Sequence, residues 1–138
     1  MRVRARSPYD VERQIVAENR QFVGSPSEMG TTPGKEYDVY ALFKRRRDVV
    51  LFYITDDGQA FFGPAIHFEL VDGSMPPDWV CNIINEGGED VLAVGPPELI
   101  KDWETIENYM DGDVGFGRDK LYERLERLKR LTENNGLT

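Results

Sequence analysis

The chain has 138 residues, of which 40% are hydrophobic and 30% charged, values that are ordinary for one folded globular domain. Its net charge of −8 argues against a nucleic-acid reader, because such domains are usually basic. No stretch approaches the roughly 18 apolar residues that cross a bilayer, so we expect no membrane partner. The basic residues 1–6 are not followed by the apolar run of a secretory signal. We therefore expect a single cytoplasmic domain over 1–138.

The first predicted elements are a helix and two strands. Residues 8–22 begin with a proline and carry apolar residues at near-helical spacing, which predicts a helix. A loop composition follows over 23–35. Residues 37–43 alternate as a strand does, and 49–54 are apolar on both faces, which is typical of a central strand. The basic run 44–47 between them is interpreted as a solvated hairpin tip rather than as a phosphate-binding site.

Four shorter strands are predicted in the middle of the chain. The turn sequence at 56–58 leads to a strand at 60–62, and period-two alternation predicts another at 66–70. Two further strands, 79–84 and 91–94, are separated by a stretch rich in turn residues. Because tight turns join successive strands, we expect an antiparallel meander of about five or six strands.

Two helices are predicted after the strands, over 97–110 and 118–133. Each carries an apolar stripe that would pack on the sheet, and the stripe residues are Leu99, Trp103, Ile106 and Met110 in the first, and Leu121, Leu125 and Leu128 in the second. The expected fold class is therefore α+β, with an N-terminal helix and two C-terminal helices packed on the meander.

Three segments and a tryptophan carry a resemblance to a known kind of protein. They are EYDVYALF at 36–43, VVLFYITDDG at 49–58, HFELVDG at 67–73 and, a few residues on, Trp79. Together they resemble small bacterial domains of unknown function, some of the general kind that act as immunity proteins against toxins. The matching residues are mostly core apolar residues and turn formers. The resemblance therefore implies an immunity-like bacterial module and brings no catalytic or binding residue with it.

Residues with catalytic or metal-binding chemistry are sparse. His67 is the only histidine, which excludes a two-histidine metal site, and we expect it half-exposed on a strand beside Glu69. The only cysteine, Cys81, lies in an apolar run and is expected to be a buried thiol. The acidic pairs 56–57 and 89–90 are interpreted as exposed turn residues. We therefore predict no catalytic residue, no metal site and no cofactor.

The distribution of charge is the least generic feature of the sequence. Residues 1–47 contain 10 basic and 6 acidic side chains (+4), residues 48–113 contain 1 basic and 15 acidic (−14), and residues 114–138 contain 6 basic and 4 acidic (+2). Such asymmetry speaks to partners rather than to fold. We expect an acidic face that docks a basic protein partner, with two aromatic anchors beside it. The acids are Glu86, Glu89, Asp90, Glu104, Glu107 and Asp111, and the anchors are Trp79 and Tyr109.

Three alternatives stay open on the sequence alone. The basic flank of the helix predicted over 118–133 would absorb part of the acidic charge if it packed against the helix over 97–110. A small enzyme or ligand-binding protein is the second alternative, with a site that forms only in the fold and, for an enzyme, a pocket containing His67 or a carboxylate pair. The third is a regulatory or structural subunit that self-associates through a sheet edge or a helix face.

Overall fold

The structure, a computed structural model, describes residues 1–20, 24–45, 48–110 and 123. Its strands and helices are β1 (Arg2–Ala5), α1 (Pro8–Ala17), β2 (Glu36–Arg45), β3 (Asp48–Ile54), β4 (Ala60–Pro64), β5 (Phe68–Asp72), β6 (Val80–Glu86), β7 (Glu89–Gly95) and α2 (Trp103–Met110). Two short 3-10 turns lie at Pro26–Met29 and Ala65–His67. The helix predicted over 118–133 lies outside the described residues except at Glu123.

The seven strands form one antiparallel sheet, which confirms the α+β class. The successive pairings β2–β3, β3–β4 and β6–β7 agree with the predicted meander. The meander is nevertheless wrong as a whole, because β5 pairs with β1 and β7 pairs with β2. The main path runs β4-β3-β2-β1-β5, with β7 and then β6 attached to β2. Strand β1 was not predicted, and it connects β5 to the rest of the sheet because it pairs with both β2 and β5.

Strand β2 is where the sheet divides. One edge of β2 pairs with β3, while the other pairs with β1 near Tyr37 and with β7 near Phe43. The pairing with β3 shifts between Val39 and Ala41, so that an extra residue, Tyr40, bulges from the strand. A bulge bends a strand and turns the following side chains to the opposite face. One strand therefore contributes to hydrophobic layers on both sides of the sheet.

These layers form two core clusters. In the first cluster, the part of β2 after the bulge packs with Phe52 and with the segment 99–106. In the second cluster, the part of β2 before the bulge packs with Leu51 and Tyr53, and with residues of β1 and β5. Phe52 and Tyr53 are both fully buried although they point to opposite faces. The prediction that 49–54 is a central strand holds for its position between β2 and β4 and for its buried middle, Leu51 to Tyr53, whereas Val49 at its start is exposed.

Helix α1 is shorter than predicted, and its ends show why. The Ser7 hydroxyl accepts a hydrogen bond from the Asp10 amide and caps the first turn. At the other end, Asn19 adopts a left-handed conformation with φ 49°, and the next amide, that of Arg20, donates back to the carbonyl of Ile15. This arrangement closes a helix rather than continuing it. The helix therefore ends at Ala17, five residues before its predicted end.

Helix α2 begins six residues later than predicted. Residues 96–100 form a turn instead, and its two apolar residues, Leu99 and Ile100, are buried in the first cluster. The Asp102 carboxylate accepts a hydrogen bond from the Thr105 amide at 2.7 Å, which caps a helix that starts at Trp103. Hydrogen bonding from the Thr105 side chain, and then from its amide, lowers the pKa of Asp102. The predicted apolar stripe is thus divided between a turn and a helix.

Candidate interaction surface

The start of α2 determines which acidic side chains reach the surface. Ile106 is fully buried against the sheet, and Trp103 stacks on Phe62 at 5.8 Å between ring centroids. With these two residues facing inward, Glu104 and Glu107 lie together on one exposed flank of the helix. Glu107 accepts a hydrogen bond from the Trp103 indole nitrogen at 2.7 Å. The acidic flank is therefore attached to the core through a tryptophan.

Arg45, at the end of β2, lies among the acids that the sequence analysis singled out. Its guanidinium forms a salt bridge with Glu86 on β6 and lies 5.2 Å from the centre of the Trp103 ring. Arg45 belongs to the basic run that was interpreted as a solvated hairpin tip, and residues 46–47 of that run lie outside the described part of the chain. Arg45 of β2 therefore neutralises part of the acidic charge within the fold, by pairing with Glu86.

The β6–β7 hairpin brings two more acids to the same place. Gly87 and Gly88 both have positive φ, at 58° and 92°, which a two-residue hairpin turn requires. The turn places Glu86 directly opposite Glu89. Like charges opposite each other disfavour pairing, and the salt bridge from Arg45 to Glu86 offsets this repulsion. We refer to the four acids of this region as the acidic end of the sheet: Glu86, Glu89, Glu104 and Glu107.

The other face of the same hairpin is apolar and exposed. Ile83 and Leu92 lie opposite each other on β6 and β7, and they are 68% and 43% exposed. Strand register continues this row through Lys44 on β2 to Val49 on β3, which is also exposed. Asp90 shares this face, two residues before Leu92. The structure thus separates Asp90 from the acidic end and places it beside an apolar row.

The remaining residues of the predicted face lie elsewhere or outside the description. Trp79 is half-buried and packs against the second core cluster, whereas α2 packs against the first. Its indole nitrogen is buried and, within the described part of the chain, has no hydrogen-bond partner. The Tyr109 side chain and Asp111 lie outside the described residues. The structure therefore does not bring Trp79 together with the acids on α2.

Two expectations about reactive side chains are wrong. His67 is 3% exposed rather than half-exposed, because it lies in a 3-10 turn before β5 and not on the strand itself. Its expected neighbour Glu69 forms a salt bridge with Arg4 at 2.9 Å. Cys81 is exposed on β6 and is not a buried thiol. Alternating apolar residues did not distinguish a turn from a strand or an edge strand from a central one.

A polar network around Asp56 was not anticipated. One carboxylate oxygen accepts hydrogen bonds from the Tyr37 hydroxyl at 2.8 Å and the Lys35 ammonium at 2.7 Å, and the other accepts from the Thr32 hydroxyl at 2.7 Å. The Asp56 amide donates to the Gly30 carbonyl at 2.8 Å. These contacts join the loop before β2 to the turn after β3. From the sequence, Asp56 was expected only as an exposed turn residue, and nothing in the local pattern indicated its partners.

The protonation of this network follows from its donors. Hydrogen bonds from Lys35, Thr32 and Tyr37 lower the pKa of Asp56 to about 2, so the carboxylate is ionised throughout the neutral range. Burial raises the pKa of Tyr37, and the Asp56 contact raises that of Lys35. A carboxylate with such a low pKa is a poor proton acceptor near neutral pH. The network therefore connects two loops and does not resemble an acid–base pair.

Other features bear on the enzyme alternative. A shallow, open depression on α1 is lined by Tyr9, Glu12, Arg13, Val16 and Ala17. It contains neither His67 nor a carboxylate pair, which were the groups that an enzyme site was expected to use. Within the described ranges, no group of three or more His, Cys, Asp or Glu side chains is placed to hold a metal ion.

Comparison of the chain with protein-family models, with curated proteins and with solved structures finds no match in any of the three. No activity, partner or ligand is therefore transferred from a relative. In the part of the chain that the structure describes, no helix has both the length and the apolar character needed to cross a membrane. The acidic end of the sheet and the apolar row on the β6–β7 hairpin, together with the sequence, are therefore the basis for proposing a function.

Proposed function

We propose that this chain is a non-enzymatic binding module that docks a basic protein partner through the acidic end of the sheet. The observation that carries the proposal is that two separate parts of the chain bring acids to one end of the sheet. Glu86 and Glu89 come from the hairpin, and Glu104 and Glu107 from α2, where both lie exposed, while Arg45 forms a salt bridge with Glu86. The charge bias of the sequence thus becomes, within the described residues, a local cluster of acids.

Charge and apolar contact would have different roles in such docking. Exposed acids attract a basic partner over a distance of about one Debye length, which raises the association rate and discriminates between partners. Affinity comes mainly from side chains that become buried. Trp103 lies beside Glu107, and the apolar row containing Ile83 and Leu92 lies on the adjoining face of the hairpin. A partner that wraps the hairpin would use both surfaces.

The resemblance to small bacterial immunity-like domains gives this proposal a more specific form. An immunity protein masks a toxin domain, and an acidic surface would suit a toxin domain that is itself basic. The segments that carry the resemblance form β2, β3 and β5, which make up much of the sheet, and this supports an immunity-like role. The basic toxin domain is the partner class that the experiment below would detect.

The proposal is tested by capture on the immobilised protein from a lysate of its source. Three proteins are compared: the parent, the double variant Glu104→Lys/Glu107→Lys, and the control Glu12→Lys/Asp57→Lys. The control changes net charge by the same amount at exposed positions on α1 and the β3–β4 turn. We expect a basic protein that the parent and the control retain, and that the α2 variant binds about tenfold more weakly.

Two results would overturn the proposal. One is equal retention by all three proteins, which would show that the acidic end is not the contact. The other is equal loss in both variants, which would show a response to net charge alone. Binding should also weaken as salt rises, because exposed charges are screened. Thermal unfolding of each variant verifies that a loss of binding is not a loss of fold.

A further inference from the structure

The sheet has three edge strands within the described residues, and they differ in protection. Exposed edges present unpaired backbone groups that can pair with another strand, and proteins block them with proline, charge, short length or bulges. Strand β4 has five residues and ends in proline at Pro64. Strand β5 also has five residues, carries Glu69 and Asp72, and its pairing with β1 contains a register shift. Both edges carry features that disfavour pairing.

Strand β6 has fewer of these features, with a single charged residue, Glu86, at its end. It has seven residues, VCNIINE, with neither proline nor a basic residue, and it pairs in regular register with β7 along its whole length. In the described part of the chain nothing pairs with its other edge. Val80 and Ile83 on this strand are 43% and 68% exposed, and Cys81 is also exposed. Among the described residues this edge is therefore unpaired and largely apolar.

We propose that β6 pairs antiparallel with β6 of a second copy of this chain, around a two-fold axis at Ile83. In this register Ile83 lies opposite Ile83 of the second copy, and Cys81 lies opposite Asn85. Glu86, the only charged residue of the strand, lies opposite Val80 and not opposite another acid. A two-fold interface requires such a self-complementary pattern. The inference goes beyond the proposed function and does not depend on it.

The apolar row on the hairpin makes the pairing more than a backbone contact. Leu92 lies beside Ile83 on the same face of the sheet. Joining two β6 strands would therefore give a continuous row of Leu92, Ile83, Ile83 and Leu92 across the two-fold axis. Cross-strand apolar pairs stabilise sheets, and the exposed apolar area would decrease. A sheet of seven strands would become a sheet of fourteen.

Salt separates this inference from the proposed function. Each copy carries a net charge of −8, so two copies repel each other at low ionic strength. Screening reduces that repulsion, and dimerisation should strengthen as salt rises. Binding of a basic partner should weaken over the same range. Opposite responses to salt would therefore show two separate interactions, and failure of either one leaves the other testable.

The first test measures molecular mass against concentration by sedimentation. We expect a reversible dimer in the parent and a monomer in Ile83→Lys, because a lysine on an edge strand opposes pairing. The control is Val16→Lys on α1, where the valine is 80% exposed and lies far from the sheet edge in the chain. The control should dimerise as the parent does. A parent that stays monomeric up to about millimolar concentration at high salt would overturn the inference.

The second test examines the register. In the variant Asn85→Cys the new thiol would lie opposite Cys81 of the second copy, within the distance of a directly opposed strand pair. Mild oxidation should then give a covalent dimer, and it should give far less in Asn85→Cys/Cys81→Ser, where the opposed pair is lost. Equal cross-linking in the two variants would overturn the proposed register. Sedimentation of both reduced variants verifies that the dimer itself is retained.

Discussion

Two groups of charged side chains in this molecule differ in how their charge is balanced. In the Asp56 network, a single carboxylate accepts hydrogen bonds from Lys35, Thr32 and Tyr37, and its charge is satisfied within the chain. At the acidic end of the sheet, the Arg45 guanidinium forms a salt bridge with Glu86, while Glu104 and Glu107 lie on the exposed flank of α2. The first group has more donors than carboxylates, whereas the second exposes two carboxylates on the surface of a helix.

The comparison shows that a count of acids does not separate structural charges from available ones. Asp56 belongs to the segment 48–113 with a net charge of −14, and so do the four glutamates. What differs is the element that each carboxylate faces. Asp56 faces a loop that supplies hydroxyl and ammonium donors, whereas Glu104 and Glu107 lie on the exposed flank of a helix. Structural charges stabilise the fold, and available ones attract partners.

The largest effect is expected where the loop of the Asp56 network meets the sheet. Gly30 has φ 67°, and a Cβ atom there would lie 2.7 Å from Thr55 Cγ2. Gly30→Ala should therefore lower the free energy of unfolding by about 3 kcal/mol, through backbone strain and steric overlap together. Gly34→Ala is the matched control, because its φ is 84° and the added Cβ would have open space.

The control should lose only about 1 kcal/mol, the cost of the left-handed backbone. Urea unfolding of the two variants and the parent measures both values. Equal losses in the two variants would contradict the view that the loop is held tightly against Thr55. The Asp56 network would then be a loose surface contact, and the contrast with the acidic end would be weaker.

A second prediction concerns the pH range in which Asp56 stabilises the fold. Its pKa is lowered to about 2 in the folded chain, so its stabilising contribution is complete above its ordinary pKa of 3.8. The contribution is lost as pH falls from about 4 to about 2. Asp56→Asn should lower Tm by about 3 °C at pH 7. The difference in Tm between parent and variant should shrink below pH 4 and vanish near pH 2.

The adjacent turn residue provides the control for this pH series. Asp57→Asn removes an exposed acid one position further along the chain and should shift Tm by less than about 1 °C at any pH in the series. Differential scanning calorimetry at pH 7, 5, 3 and 2 measures both variants. A difference between parent and Asp56→Asn that persists unchanged at pH 2 would mean that the hydrogen bonds do not depend on the ionised carboxylate.

Local pattern was enough to predict the strands that are joined by tight turns. The glycines at 87–88 and the turn at 56–58 specify hairpins through their own backbone preferences. Strand β1 was missed although it alternates, with Val3 and Ala5 buried and Arg2 and Arg4 facing outward. The prediction used the positive charge of these arginines and not their alternation with apolar residues. Pairing of β1 with β5 joins residues that are more than 60 positions apart, and no local signal specifies it.

The bulge at Tyr40 explains another limit of pattern analysis. Strict alternation over 37–43 predicts one buried face, yet Val39, Tyr40 and Ala41 are all buried. Because of the register shift, Tyr37 and Val39 lie in the second cluster, whereas Tyr40, Ala41 and Phe43 lie in the first. The acidic flank of α2 could be predicted, because helical periodicity alone places Glu104 and Glu107 together. The contact of Arg45 with Glu86 could not, since it depends on how β2 meets β7 and β6.

The smallest effect is expected from the salt bridge at the acidic end. Glu86→Gln removes the ion pair with Arg45 at a partly exposed site, where such pairs contribute about 0–1 kcal/mol. Arg45→Gln removes the same pair and also the contact with the Trp103 ring, so its loss should be slightly larger. Urea unfolding at low and high salt should show the Glu86 effect disappearing as salt rises. A loss above about 2 kcal/mol for Glu86→Gln would place this pair beside Asp56 as a structural charge. The contrast between satisfied and available carboxylates would then no longer distinguish the two regions.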